Sequence, residues 1–278
     1  MTEEQLKKRL DYLRSIGFKV QSDELSDLLP AMLQHIGSID AVLRDELIYS
    51  AFANWICTQR LVTPVQERQI LHTVLDEQHM FFHMGEIEGD AVFTRAFSVL
   101  LLPLLLGVHR GQPYLSLPEL LEVKQALFSF LAQERDKRGF VVGKGWAHAV
   151  AHAADALDEL ALCSEMEQAD LLEMLMLIRD MVCDPAQVYT HGEEERLGTA
   201  VLSIISRAVL SPQQVSDWLA SIKEPVLAIK ELPALLYARA NVRNFLQSLY
   251  FRLHWAGLAA PYEVAFDHSL RAISRYAD

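Results

Sequence analysis

Apolar residues recur at intervals of three and four along almost the whole chain, the spacing that gives a helix one buried face. No run of two-residue alternation bounded by hairpin turns interrupts that pattern. The period predicts helices over 2–16, 23–36, 39–59, 64–78, 91–109, 117–138, 146–163, 165–183, 193–209, 212–222, 232–256 and 261–276. Ser22, Ser38, Thr63 before Pro64, Ser116 and Ser211 before Pro212 stand where N-caps are expected, and Gly17, Gly37 and Gly139 where helices should stop. The short connections, with no Pro/Gly/Ser-rich linker, predict a single all-helical domain over 1–278. The expected architecture is all-α, a superhelix of antiparallel helix pairs in the manner of a HEAT or armadillo α-solenoid. A closed α/α bundle or toroid is the alternative, since no clean repeat period is visible.

The most apolar stretch, Val92–Val108, is interrupted by Arg95 and Pro103 and falls short of the roughly 20 residues a membrane span needs. It reads as a core helix, and no membrane span or signal peptide is expected. The net charge of −12 argues against broad nucleic-acid binding, which depends on Lys and Arg neutralising phosphates. Three cysteines, Cys57, Cys163 and Cys183, are odd in number and widely spaced, as expected of buried free thiols in a cytoplasmic protein.

The segment "GWAHAVAHAADALDELA" (145–161) carries the chemistry. At about 100° per residue on a continuous helix, His152, Asp155 and Glu159 fall within about 40° of His148, and all four share one stripe. Trp146, Val150, Leu157 and Leu160 take the other side, with Ala149, Ala151 and Ala156 flanking. Small flanking residues let a neighbouring backbone come close, so the stripe should be covered. Three uses compete: hydrogen bonds that lock the packing; a divalent metal held by His148, His152 and Asp155; or metal-free binding and acid/base work by an imidazole. Just upstream, "ERDKRGFVVGKGW" places Lys144 and Arg138 beside the helix start, where an anion could be received.

Arg95 stands between Phe93 and Phe97 in apolar surroundings and needs a carboxylate; Glu134 and Asp136 are the expected partners. In Leu236–Trp255, Arg239, Arg243 and Asn244 interleave with aromatic residues, which suits a core helix with snorkelling arginines or a basic groove helix. The chain has no HExxH, Walker A or GxSxG pattern, and no nucleophile is visible.

The segments "RDELIYSAF" (44–52), "VFTRAFSVL" (92–100), "ERDKRGFVVGKGWAHAVAHAADALDEL" (134–160), "EEERL" (193–197) and "NFLQSLYFRL" (244–253) together resemble the bacterial family known as domain of unknown function 2785. The resemblance implies a helical protein and brings no activity, substrate or cofactor with it. Two functions are therefore expected from the residues. One is a scaffold that binds a protein, peptide or small anion at Arg138, Lys144, Trp146, His148, His152, Asp155 and Glu159. The other is a metal-assisted hydrolase of a small anionic substrate, such as a phosphorylated one, with the ion on His148, His152 and Asp155.

Overall fold

The computed structural model describes residues 1–276. The first helices are α1 (Glu3–Ser15) and α2 (Ser22–Gln34), followed by a continuous helical rod wound as π1 (Val42–Tyr49), α3 (Ser50–Ala53) and π2 (Asn54–Thr58). Then come α4 (Pro64–Val74), α5 (Ala91–Val99), α6 (Leu101–Gly111) and α7 (Leu117–Gln133). A hairpin of β1 (Phe140–Val141) and β2 (Gly145–Trp146) precedes α8 (Ala149–Ala161). The rest is α9 (Gln168–Val182), α10 (Glu193–Ser206), α11 (Pro212–Ser221), α12 (Lys223–Ala228), α13 (Ala234–Trp255), a 3₁₀ turn (Ala260–Tyr262) and α14 (Glu263–Ile273). The protein is predominantly helical, as the apolar period predicts.

The packing groups the chain into two compact units, Met1–Leu160 and Ala161–Asp278, with the division inside α8 and no linker between them. In the first unit α1 packs on α2 and π1, α2 on α4, α4 on α6, and α6 on the π2 end of the rod, so the helix contacts close into a ring. Trp55, Phe52, Phe93, Phe97 and Phe130 fill its centre, and the Trp55 indole donates to the Phe18 carbonyl at 2.8 Å. In the second unit α13 is the hub, packed on α9, α10, α12 and α14. There the buried Asn241 amide accepts from the Tyr189 N–H and donates to the Gln187 carbonyl, each at 2.9 Å, fixing the loop before α10.

Helix starts follow local chemistry. Thr63, Ser116 and Ser211 each close a capping box with the glutamine or glutamate three residues on. Two expected caps move: the N-cap of α2 is Gln21, with Ser22 already helical, and the π1 rod is capped by Asp40, whose carboxylate accepts from Val42 and Leu43 N–H, while Ser38 only supports Asp40. α1 stops at Gly17 as expected, with the Phe18 N–H reaching back to Leu13. Gly37 lies beyond the end of α2 and serves close approach, since a Cβ there would run into Thr94 of α5.

The helix expected over 91–109 is broken at Leu100, and 78% of the best window of Ala91–Gly111 lies inside the structure. By length and composition that run could span a membrane, but its apolar surface is already covered by protein. Two corrections bear on the site. The helix expected over 117–138 ends at Gln133, well before Gly139, and the helix expected over 146–163 begins only at Ala149. Between them the chain is extended and then folds into the hairpin.

Candidate functional site

The segment 134–148 owes its path to buried charge. Arg95 of α5 is fully buried and grips Glu134 with two hydrogen bonds, from Nε at 2.6 Å and from Nη2 at 2.8 Å. Its remaining donors reach the carbonyls of Phe82 and His83, both at 3.1 Å, and of Glu86 at 3.3 Å. Glu134 is thus the carboxylate that Arg95 needs. The other expected partner, Asp136, is used differently: it takes Arg138 Nε at 2.8 Å and the Glu88 N–H at 3.1 Å. That hydrogen bond to Asp136 holds the Arg138 guanidinium above its ordinary pKa. α7 ends at Gln133 with Glu134 as its C-cap, still bonded to the Phe130 carbonyl, and the chain beyond it turns extended to carry Asp136 to the Glu88 N–H.

The hairpin is antiparallel, with Phe140 opposite Trp146 and Val141 opposite Gly145. Beneath it lies Arg44 of π1, fully buried. Its Nη2 donates to the carbonyls of Lys144 at 2.6 Å and Trp146 at 3.2 Å, and its Nη1 to that of Ser38 at 2.5 Å. The guanidinium sits against two aromatic rings, 4.3 Å from the Phe93 centroid and 4.8 Å from that of Phe97. Burial pushes its pKa down to about 10. Gly145 has φ +79°, and a Cβ there would stand 2.8 Å from the Ala41 Cβ and 3.2 Å from Arg44 Nη2, so only glycine lets the hairpin settle this close.

The polar stripe is only partly assembled. His148 lies outside the helix, with φ +59°, and its carbonyl accepts the first helical hydrogen bond, from His152 N–H at 3.0 Å. Trp146 is in β2, so the helical rotation carried back through both residues does not apply. His148 and His152 are buried, while Asp155 and Glu159 are half-buried. The expected cover therefore exists at the N-terminal end of the stripe and thins towards its C-terminal end. His152 Nδ1 lies 3.1 Å from the Ala96 carbonyl, and Glu159 pairs with Arg110. Phe140, Trp146, His148, His152 and Phe97 form an unbroken series of ring contacts from the surface into the core, the Trp146 and His148 rings stacked 4.6 Å apart.

The groups expected to receive an anion have internal partners: Lys144 Nζ contacts both Asp90 oxygens, at 2.6 and 2.9 Å, and Arg138 also donates to the Gly89 carbonyl. Among the described residues no group of three His, Cys, Asp or Glu side chains is placed to hold a metal ion. Among the described residues no disulfide joins the three cysteines; Cys163 and Cys183 are buried as expected, but Cys57 is exposed. A cavity of about 690 Å³ in the same unit, walled by Leu29, Pro30, Gln66, Ile70 and Phe82, includes none of the candidate residues.

What remains accessible is an apolar patch beside acidic side chains. Phe140 is 51% exposed, Val142 90% and Trp146 37%, and the neighbouring 86–90 loop shows Ile87 at 62% with Glu86, Glu88 and Asp90 also exposed. Arg44, Ile87, Asp90, Phe140 and Val142 carry no signal in the helical period. "FVVGKGW" did carry a hairpin signal, an aromatic and β-branched run followed by two glycines, but it was hidden between two strong helical periods.

Fold and site together define a helical protein whose short hairpin, with two residues in each strand, is mounted on a buried arginine. The family described as "Protein of unknown function (DUF2785)" matches residues 80–251, more than half of the chain, and the chain belongs to that family. The match takes in the 86–90 loop, α5, the hairpin and α8, and leaves Arg44 outside. No curated protein and no solved structure matches the chain.

Proposed function

We propose that the protein is a binding module whose recognition surface is the 140–146 hairpin with the acidic 86–90 loop beside it, and that its partner is a protein or peptide segment presenting an apolar side chain next to basic ones. The observation that carries this reading is the exposure of Phe140, Val142 and Trp146 on a hairpin held from below by Arg44. An aromatic anchor already fixed in place loses little conformational freedom when a partner docks, and such anchors dominate interface energies. Glu86, Glu88 and Asp90, in a chain of net charge −12, supply the field that favours a basic partner, with Lys144 offsetting only Asp90.

The reading needs no superhelical groove, because a surface hairpin on one compact unit is enough. It is favoured over a hydrolase because Lys144 and Arg138 are already committed to Asp90 and Asp136. Three cysteines outside any disulfide suit a reducing, cytoplasmic setting. Selection from a random peptide library on the immobilised protein tests the proposal. Enriched peptides should combine aromatic or aliphatic residues with Lys or Arg and lose binding to a Val142→Asp/Trp146→Ser variant. Peptides without that composition, or binding that survives the double substitution, would overturn it.

A further inference from the structure

The second unit holds a cavity of about 630 Å³ between α13 and the end of α14, and its charge is opposite to that of the protein. Its polar lining includes Arg239, Arg243 and Gln247 of α13, Asp267 and Arg271 of α14, and Arg275 just beyond, while Leu236, Leu270 and Ile273 form an apolar wall. Four arginines thus face one aspartate in a chain where Asp and Glu outnumber Lys and Arg by 37 to 25. Asp267 is already taken: Arg271 Nε contacts its two oxygens at 2.9 and 2.8 Å.

Among the described residues, Arg239, Arg243 and Arg275 have neither a hydrogen bond nor an ion pair, and Arg239 Nε is buried without an acceptor. A buried donor left unsatisfied carries a penalty that folding alone gives no reason to keep. Arg239 and Arg243 also stand four residues apart on one helix, the spacing at which like charges repel. The fold therefore concentrates positive charge and open guanidinium donors in a hollow with an apolar side. The volume lies in the range that encloses a small molecule, and the planar forks of arginine match the oxygen edges of phosphate and carboxylate groups.

We infer that this cavity is a binding site for a small organic oxyanion carrying at least two negative charges, with its anionic end on Arg239, Arg243 and Arg275 and its carbon skeleton against Leu236 and Leu270. The site is separate in residues and in chemistry from the hairpin surface, which would attract cations.

Calorimetric titration of the intact chain with pyrophosphate and, separately, citrate tests it, using Arg243→Gln, Arg239→Gln and, as a control for loss of one distant charge, Lys8→Gln. Arg243 and Lys8 are exposed, so those two variants should fold normally even if Arg239→Gln does not. Saturable one-to-one binding of either anion, weakened tenfold or more by Arg243→Gln and unchanged by Lys8→Gln, is the expected result. The two anions distinguish phosphate from carboxylate as the preferred group. Binding of neither anion, binding insensitive to Arg243→Gln, or equal weakening by Lys8→Gln would overturn the inference.

Discussion

Arg44 Nη2 lies 2.6 Å from the carbonyl oxygen of Lys144, one hundred residues further along the chain. That hydrogen bond joins a π-helical turn to a hairpin and puts a buried positive charge under an exposed aromatic surface. Among the described residues Arg44 meets no carboxylate, only carbonyls and the faces of Phe93 and Phe97. The geometry of the fork matters more than the charge, so Arg44→Lys should fare little better than Arg44→Met. Each should lose about 2–3 kcal/mol of stability through unsatisfied buried carbonyls. Hydrogen exchange should quicken at 140–147 in both variants; a lysine variant with wild-type protection would show that charge alone suffices.

Gly145→Ala tests the same contact from the other side. The added methyl meets Ala41 and Arg44 on a backbone already in the left-handed region. A loss of about 1–3 kcal/mol is expected, from strain and overpacking together. Gly143→Ala, at the turn with φ +80° and open space around it, should cost less. Denaturant midpoints of the two variants decide the order.

The pair of Arg95 and Glu134 should behave as a buried ion pair. Glu134→Gln leaves the guanidinium in the core without its counter-charge and should cost about 3–5 kcal/mol. Replacing both by Met should cost less than that single change, because no uncompensated charge remains. A double variant less stable than Glu134→Gln would mean that the carbonyl contacts of Arg95 carry the stability.

Lys137 supplies a pH dependence. Burial, with Arg135 adding to it and Glu134 opposing, pushes its ammonium down to about 8. Between that value and the ordinary lysine pKa near 10.4 the unfolded chain binds the proton and the folded chain does not, so stability rises with pH across this window. Below pH 8 both states are protonated and the full penalty for the buried charge is present. The stability of the wild type relative to Lys137→Met should therefore increase from pH 8 to pH 10, by at most about 1.4 kcal/mol per unit. A difference independent of pH would place the ammonium in water.

Ala151 is fully buried in α8. Ala151→Leu should cost about 1–3 kcal/mol by overpacking, read as a lowered denaturant midpoint. An unchanged midpoint would mean that the neighbours of α8 yield easily.

The sequence by itself determined the helical class, most helix positions, the N-caps at Thr63, Ser116 and Ser211, the burial of Val92–Val108 and the need of Arg95 for a carboxylate. All of these follow from local period, cap chemistry or the cost of burying a charge, which act over a few residues or on one side chain. Tertiary structure decided what the polar residues do. His148 leaves the helical stripe because Arg138 and Gly139 carbonyls take the N–H groups of His148 and Ala147, drawing the chain into a hairpin. Lys144 faces Asp90 and Arg138 reaches the Gly89 carbonyl because the packing brings the 86–90 loop against the segment after α7, whereas the Arg138–Asp136 pair is local, two residues apart. Arg44 found two of its three carbonyl acceptors about a hundred residues away. Helical period says which face of a segment is apolar; the partner of each buried charge depends on which segments the packing brings within about 3 Å, and no local pattern contains that distance.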